Sequence, residues 1–314
     1  MKTKLLLFLL ILSTVCQSQI SDPLLRKYYY HSKKLEFFLY QRNPDSALFY
    51  AKKLSESNLL VNTYSYTNIS KAFYLNNKQA IGEYWLLKSI VNEGFNSKGN
   101  LEYNINAYKN VIGERYEWLL EKYDSLSSQD TEAKKKYKYD QIAIIDRIFT
   151  EDQQDREEAD ITFDTTNYLV KKMRQNDIRH FQILDSLFKA DEAFPNLVDL
   201  DYQSRSHIFL MFIHLFQYFD MESIFARFDE QIAKGLLPSY YSPLLQDKIL
   251  SYEGKPAKYG MFINSRDQSQ YKQIENVTIV DSLRANYCLP PLYIDAIMRG
   301  VELPSGYTYI DKSW

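Results

Sequence analysis

Residues 68–95 read NISKAFYLNNKQAIGEYWLLKSIVNEGF. Apolar residues fall at helical spacing on both sides of Asn76-Asn77, across Tyr64 to Asn76 and Gln79 to Asn92. Ala80, Ile81, Tyr84 and Leu87 after the break share one helical face, so the stretch predicts helix, break, helix. Working outward, the same spacing covers Leu24 to Gln41, Pro44 to Ser57 and Leu101 to Tyr123. Asn43-Pro44-Asp45 adds a helix-start signal ahead of Ala47, Leu48, Ala51 and Leu54. Residues 22–123 are therefore expected to form antiparallel helix pairs.

The helices beginning near Pro44 and Gln79 are offset by about 33 residues, with a small residue at Ala47 and Ala80 and an aromatic three or four positions later. In that respect residues 20–125 resemble tetratricopeptide repeats, whose small residues let paired helices approach closely. The family's usual Trp and Pro positions are not met, and about two units are visible. A plain helical bundle satisfies the same periodicity.

Composition supports helices over turns: Tyr 27 and Phe 18 stand against Gly 9 and Pro 9. The first residues, with Lys2 and Lys4 before the apolar run Leu5 to Val15, read as an export signal covering residues 1–19 and cut near Gln19. Lipid attachment at Cys16 is the alternative, disfavoured by Val15 before it. Losing Lys2 and Lys4 takes the formal charge from −2 to −4, which excludes an electrostatic footprint for nucleic acid. Cys16 and Cys288 are the two cysteines. With Cys16 removed no internal disulfide can form, so stability must come from packing.

DSLSSQDTEAKKKYKYD, residues 124–140, is a polar break with a basic cluster at Lys134, Lys135, Lys136 and Lys138. Residues 126–140 are expected to link a helical domain, 20–125, to a second helical domain, 141–314; charge runs of this kind are usually solvated. In the second half Ile142, Ile145 and Ile148 mark a helix, Thr166 to Arg174 and Phe181 to Lys189 mark two more, and Ser206 to Asp220 is apolar enough to be central. Lys258 to Asn276 is expected to form a small β-hairpin turning near Arg266-Asp267. The fold class is mainly α.

Motifs for familiar chemistry are absent: there is no GxSxG, HExxH, Walker loop, CxxC pair or dinucleotide fingerprint. Asp152 and Arg156 have i,i+4 spacing and Asp281 and Arg284 i,i+3, each an ordinary helical ion pair by itself. His207 and His214, seven apart, cannot chelate a metal as an i,i+4 pair would. His214 lies in the apolar stripe, where a core histidine and a catalytic one are both open. Cys288 has no histidine near it in sequence and reads as an inert thiol.

Residues 140–300 resemble a family known as domain of unknown function 6624, often found behind signal peptides or helical repeats. The matching pieces run in order: Asp152-Gln153 with Arg156, Asp164 and Asn167, His214, LQDKIL at 245–250, Gly254-Lys255-Pro256 with Tyr259-Gly260, and Asp281 with Arg284 before Leu289-Pro290-Pro291-Leu292. Departures are Ile213 in place of Gln, Phe216 in place of an acid, and Met261-Phe262 in place of Thr-Gln. The resemblance implies that Asp152, Arg156, His214, Asp247, Tyr259, Asp281 and Arg284 converge, and it brings no reaction with it. The leading expectation is an exported, non-catalytic protein that binds a protein or peptide through its N-terminal helices, with no cofactor, no metal and no membrane attachment after cleavage. The alternative is a hydrolase with His214 as base or acid, Asp152 or Asp247 as its orienter, and Arg156 or Arg284 as anion clamp; Tyr259 and Asp281 would complete the binding groups.

Overall fold

The structure is a computed structural model that describes residues 20–57, 63–93, 112–113, 115–129, 134–135, 137–160, 168–190, 199–263 and 269–309. The expected export signal, most of the helix expected from Leu101, and the Arg266-Asp267 turn lie outside the described residues. The fold is mainly α. In chain order the helices are α1 (Pro23–Tyr40), α2 (Pro44–Ser55), α3 (Thr63–Leu75), α4 (Gln79–Glu93), α5 (Arg115–Ser127), α6 (Tyr139–Asp160), α7 (Tyr168–Ala190), α8 (Tyr202–Leu215), α9 (Met221–Ala233), α10 (Tyr241–Tyr252), α11 (Val280–Asn286) and α12 (Leu292–Arg299). Among the described residues no helix is long and apolar enough to cross a membrane.

Local chemistry sets the hairpins. The Asp22 carboxylate accepts from the Leu24 N–H at 2.8 Å ahead of Pro23, and the Asn43 side chain accepts from the Ser46 N–H at 3.1 Å ahead of Pro44. Each caps a helix whose first position suits proline. Helix α1 ends with Arg42 at φ +52° and α3 with Asn77 at φ +57°. Asn43 N–H donates to the Phe38 carbonyl at 3.0 Å and Lys78 N–H to that of Phe73 at 2.9 Å. With Arg42 N–H to Leu39 O and Asn77 N–H to Tyr74 O, both are Schellman turns. The Asn76 amide donates to the Pro44 carbonyl at 2.8 Å and ties one turn to the other.

Arg42 and Asn77 are 35 positions apart, which corrects the register read from Ala47 and Ala80. Ala47 is fully buried, whereas Ala80 is exposed. The residue geometrically equivalent to Ala47 is Gly82: a Cβ there would meet the Tyr74 ring at 2.7 Å, and the Gly82 carbonyl accepts from the Ser70 hydroxyl at 2.7 Å. Close approach of α3 and α4 therefore depends on Gly82.

The expected division at 126–140 does not separate two cores. One apolar cluster contains Leu35, Ala51, Leu54 and Ile69 of the hairpins together with Ile145, Leu184, Ile208, Phe212, Phe228 and Leu245. Tyr29 of α1 donates its hydroxyl to the Leu237 carbonyl at 2.5 Å. Helix α5 runs to Ser127, and Lys134 is buried, donating to the carbonyls of Ser127 and, at 2.8 Å, Gln129. The ammonium so satisfies acceptors at the end of α5 in place of standing in solvent. The two helices expected at 166–174 and 181–189 are one, α7.

The expected β-hairpin is reduced to isolated bridges, Ile263 with Tyr271 and Ala257 with Ile274, and no strand occurs among the described residues. Asp247 explains the loss. Its carboxylate accepts the N–H groups of Lys258 at 2.7 Å, Tyr259 at 3.0 Å and Met261 at 2.8 Å. Donors that a partner strand would need are already committed to a side chain.

Candidate functional site

Helix α6 packs against both α7 and α8, and the polar residues on the facing stripes meet. Asp152 and Arg156 stand one turn apart on α6, Asp177 and His180 lie on α7, and His214 is in the last turn of α8. The Arg156 Nη2 bridges two carboxylates, at 2.8 Å to Asp152 Oδ1 and 2.9 Å to Asp177 Oδ1. Its Nε lies 3.1 and 3.2 Å from the two Asp152 oxygens. His214 Nδ1 is 2.7 Å from Asp152 Oδ2 and 2.8 Å from Arg156 Nε. One ring nitrogen cannot donate to the carboxylate and accept from the guanidinium together. We assign Nδ1–H to Asp152, since Arg156 Nε has the same carboxylate in reach. In that tautomer Nε2 is the acceptor of the ring.

Burial grades the network. The Asp152 and Asp177 side chains are 1% and 7% exposed, His214 is 16% and Arg156 24%, so the acids sit inside and the bases reach the surface. Burial raises the Asp152 carboxyl, but hydrogen bonds from His214 and Arg156 outweigh it and hold the group below the usual aspartate range. Asp177, with the same guanidinium but fewer bonds, is held above that range by burial first and by the neighbouring Asp152 charge.

Ligand atoms of Asp152, Asp177 and His180 lie within 4.8 Å of one another, a spacing that suits a cation. The Arg156 guanidinium already bonds both carboxylates and supplies the positive charge there. His180 is fully buried, with Nε2 3.2 Å from Glu151 Oε2 and Nδ1 without a hydrogen-bond partner. His207 belongs elsewhere: its Nδ1 is 2.9 Å from Asp146, which also accepts from the Ser204 hydroxyl, and Phe149 stacks on its ring at 3.8 Å.

The seven residues expected to converge fall into two sets. Asp152, Arg156 and His214 meet. Asp247, Tyr259 and Arg284 form a second network with Asp281 nearby on α11, and among the described residues no hydrogen bond or ion pair joins it to the first. Arg284, 1% exposed, donates to the carbonyls of Pro290 at 2.6 Å and Tyr259 at 2.8 Å. Asp281 accepts from the Leu292 N–H at 2.7 Å and the Tyr307 hydroxyl at 2.6 Å. These charges are spent on backbone and fix the path of the chain after α10. Burial pushes the Asp247 carboxyl up against its three backbone donors and pushes the Cys288 thiol up, as befits an inert thiol.

Asp177 was missed by the sequence reading. Its signal is periodic: Val170, Asp177, His180, Leu184 and Phe188 are the buried positions of α7, so two ionisable residues occupy an otherwise apolar stripe. No family model matches the chain, and no match to it is found among curated proteins or solved structures.

Proposed function

We propose that this chain is an exported envelope protein that binds a protein or peptide through its helical hairpins and carries out no reaction there. The observation behind this reading is a repeated outward-facing pair. Phe49 on α2 and Tyr84 on α4 are 55% and 57% exposed, and each has a lysine one turn on: Lys53 Nζ is 5.8 Å from the Phe49 ring, and Lys88 Nζ is 5.7 Å from the Tyr84 ring while lying over Trp85 at 4.8 Å and Tyr66 at 5.6 Å. Phe49 and Tyr84 are separated by the same 35 positions as the two Schellman turns. An exposed aromatic beside a cation offers a partner both apolar area to bury and a charge to pair. Matching turns, paired helices and small residues at Ala47 and Gly82 favour a tetratricopeptide-like role for this half.

The test uses the full chain as bait in envelope extract, beside a Phe49→Ala/Tyr84→Ala double variant with an unchanged unfolding midpoint. A specific partner held by the native protein and lost by the variant is the expected result. Equal recovery by both overturns the reading.

One observation favours a hydrolase as the second reading: Asp152 orients His214 at 2.7 Å and leaves Nε2 unengaged. Arg156 would serve as anion clamp, and these three are among the seven residues that the resemblance to domain of unknown function 6624 implies. Asp247 cannot share the orienting role, because three backbone N–H groups occupy it. Among the described residues no hydroxyl or thiol is hydrogen-bonded to His214, so the attacking group would be water. Ester or amide turnover abolished by His214→Gln, with the fold retained, would support this alternative.

A further inference from the structure

The first helical hairpin carries more positive charge than it balances. Residues 20–57 hold seven Lys and Arg against four Asp and Glu, a net +3 within a chain of net −2. Two of the four acids are committed locally: Asp22 caps α1, and Glu36 pairs with Lys33 at 2.8 Å. A third, Asp45, stands in the first turn of α2, where the helix dipole favours it. Lys27 on α1 and Lys53 on α2 are exposed, and among the described residues no carboxylate pairs with either.

These two lysines belong to one patch. His31 lies between them: burial first, and then the charges of Lys27 and Lys53, hold its imidazole below the ordinary histidine value. Its ring stands 5.5 Å from that of Tyr50 and 6.2 Å from that of Tyr30. Tyr50 in turn meets Phe49 edge-on at 5.1 Å, and Lys53 Nζ is 5.8 Å from the Phe49 ring. We propose, resting on the binding role assigned to the hairpins, that Lys27, His31, Phe49, Tyr50 and Lys53 dock an acidic peptide segment with an apolar side chain between its carboxylates.

Charge complementarity selects the partner. Two exposed ammonium groups lacking carboxylate partners attract an anion, and the outward Phe49 ring offers apolar area that a small inorganic anion would leave uncovered. An anionic bilayer is the poorer fit. Tyr30, His31 and Tyr50 are half-buried, so of these aromatic residues only Phe49 projects far enough to enter a lipid surface. An extended peptide can lay one side chain on Phe49 while its acids face the lysines.

Calorimetric titration of the full chain tests this with acetyl-Glu-Glu-Phe-Glu-Glu-amide, its counterpart with glutamine for glutamate, and phosphatidylglycerol vesicles. The acidic peptide should bind at least about tenfold more tightly than the glutamine peptide. Its affinity should fall as salt rises from about 0.01 M to about 0.1 M, over which the Debye length shrinks from about 30 to about 10 Å. Lys27→Gln/Lys53→Gln, at two exposed positions, should keep the unfolding midpoint and weaken the acidic peptide at least about tenfold. The His31 ring resonances give a second readout. The groups set against this ring are Lys27 and Tyr30 of α1 and Tyr50 and Lys53 of α2, so added peptide carboxylates should move its titration to higher pH and the glutamine peptide should not. Equal binding of the two peptides, undiminished binding by the double variant, an unmoved His31 titration, or tighter association with vesicles than with peptide would overturn the proposal. A partner from extract that is released by Phe49→Ala/Tyr84→Ala yet held by Lys27→Gln/Lys53→Gln would leave the binding role standing and remove this account of its chemistry.

Discussion

Two buried ionic networks in this molecule solve the same problem in opposite ways. Around Arg156, charge meets charge: side chains from α6, α7 and α8 satisfy one another, and Arg156 and His214 keep part of their surface in solvent. Around Asp247 and Arg284, charge meets backbone: three N–H groups and two carbonyls from loops satisfy side chains that solvent hardly touches. A charge spent on backbone organises the chain, since loop amides have no ladder of their own. A charge spent on another side chain leaves atoms over, such as Nε2 of His214. The first kind is architecture, and the second is where chemistry or recognition has room.

The largest effect should come from breaking the backbone-fed network. Arg284→Met leaves the carbonyls of Tyr259 and Pro290 without their donor and the nearby acid Asp295 without its charge. Loss of one buried charged partner typically costs about 3–5 kcal/mol, so urea unfolding should show a collapse of the midpoint. Arg156→Met, which removes a charge at 24% side-chain exposure, should cost clearly less. The contrast fails if the two variants unfold alike.

Acid titration sharpens the same contrast inside the first network. Asp177 is held above the ordinary aspartate value of 3.8 by burial and then by the Asp152 charge. Its folded value exceeds its unfolded one, so the folded state binds the proton first and the contribution of Asp177 to stability rises as pH falls through the raised value, levelling below 3.8. Asp152 runs the other way. Burial raises it, the bonds from His214 and Arg156 outweigh burial, and its contribution is complete above 3.8 and lost as pH falls through the depressed folded value. The stability of the native protein relative to Asp177→Asn, read from denaturant midpoints, should therefore rise on acidification from pH 7 and level off below 3.8. A constant difference would remove the opposition between the two aspartates.

Packing gives the next effect. A Cβ on Gly82 meets the Tyr74 ring at 2.7 Å, while Ala47 occupies the equivalent place in the first hairpin without strain. Gly82→Ala should destabilise by roughly 1–3 kcal/mol through overpacking, and Ala47→Gly by about 0.5–1 kcal/mol through helix propensity. Thermal midpoints of both variants would show whether the hairpins differ as their small residues imply.

Much of the fold was legible because helices are local. The Asn76-Asn77 break, the Asn43-Pro44-Asp45 start and the apolar stripe through Phe212 each depend on residues within a few turns. Asp152 and Arg156 were legible as a pair for the same reason, and the order of pieces in the second half brought His214 to them. What escaped was nonlocal. The register of Gly82 depends on which helix faces lie against each other, and Ala80 has the right residue type at the wrong angle. Asp177 escaped because the helix was divided across it. The hairpin failed because Asp247, a side chain on α10, takes donors that sequence pattern assigns to a strand. Lys134 and Tyr137 look like linker residues until α5 and the shared core bury them.

The smallest effect compares the two turns themselves. Arg42 and Asn77 both hold a left-handed backbone, at φ +52° and +57°. Asn adopts that region with less penalty than Arg, whose Cβ and long chain gain nothing there, and glycine adopts it freely. Arg42 is exposed, so its replacement removes no core contact. Arg42→Gly should stabilise by about 0.5–1 kcal/mol, the relief of the turn exceeding the entropy glycine adds to the unfolded chain. Asn77→Gly should gain less, since Asn already tolerates the conformation. If Asn77→Gly raises the melting temperature as much as Arg42→Gly does, the strain in these turns is set by the helices that frame them and not by the residue at the left-handed position.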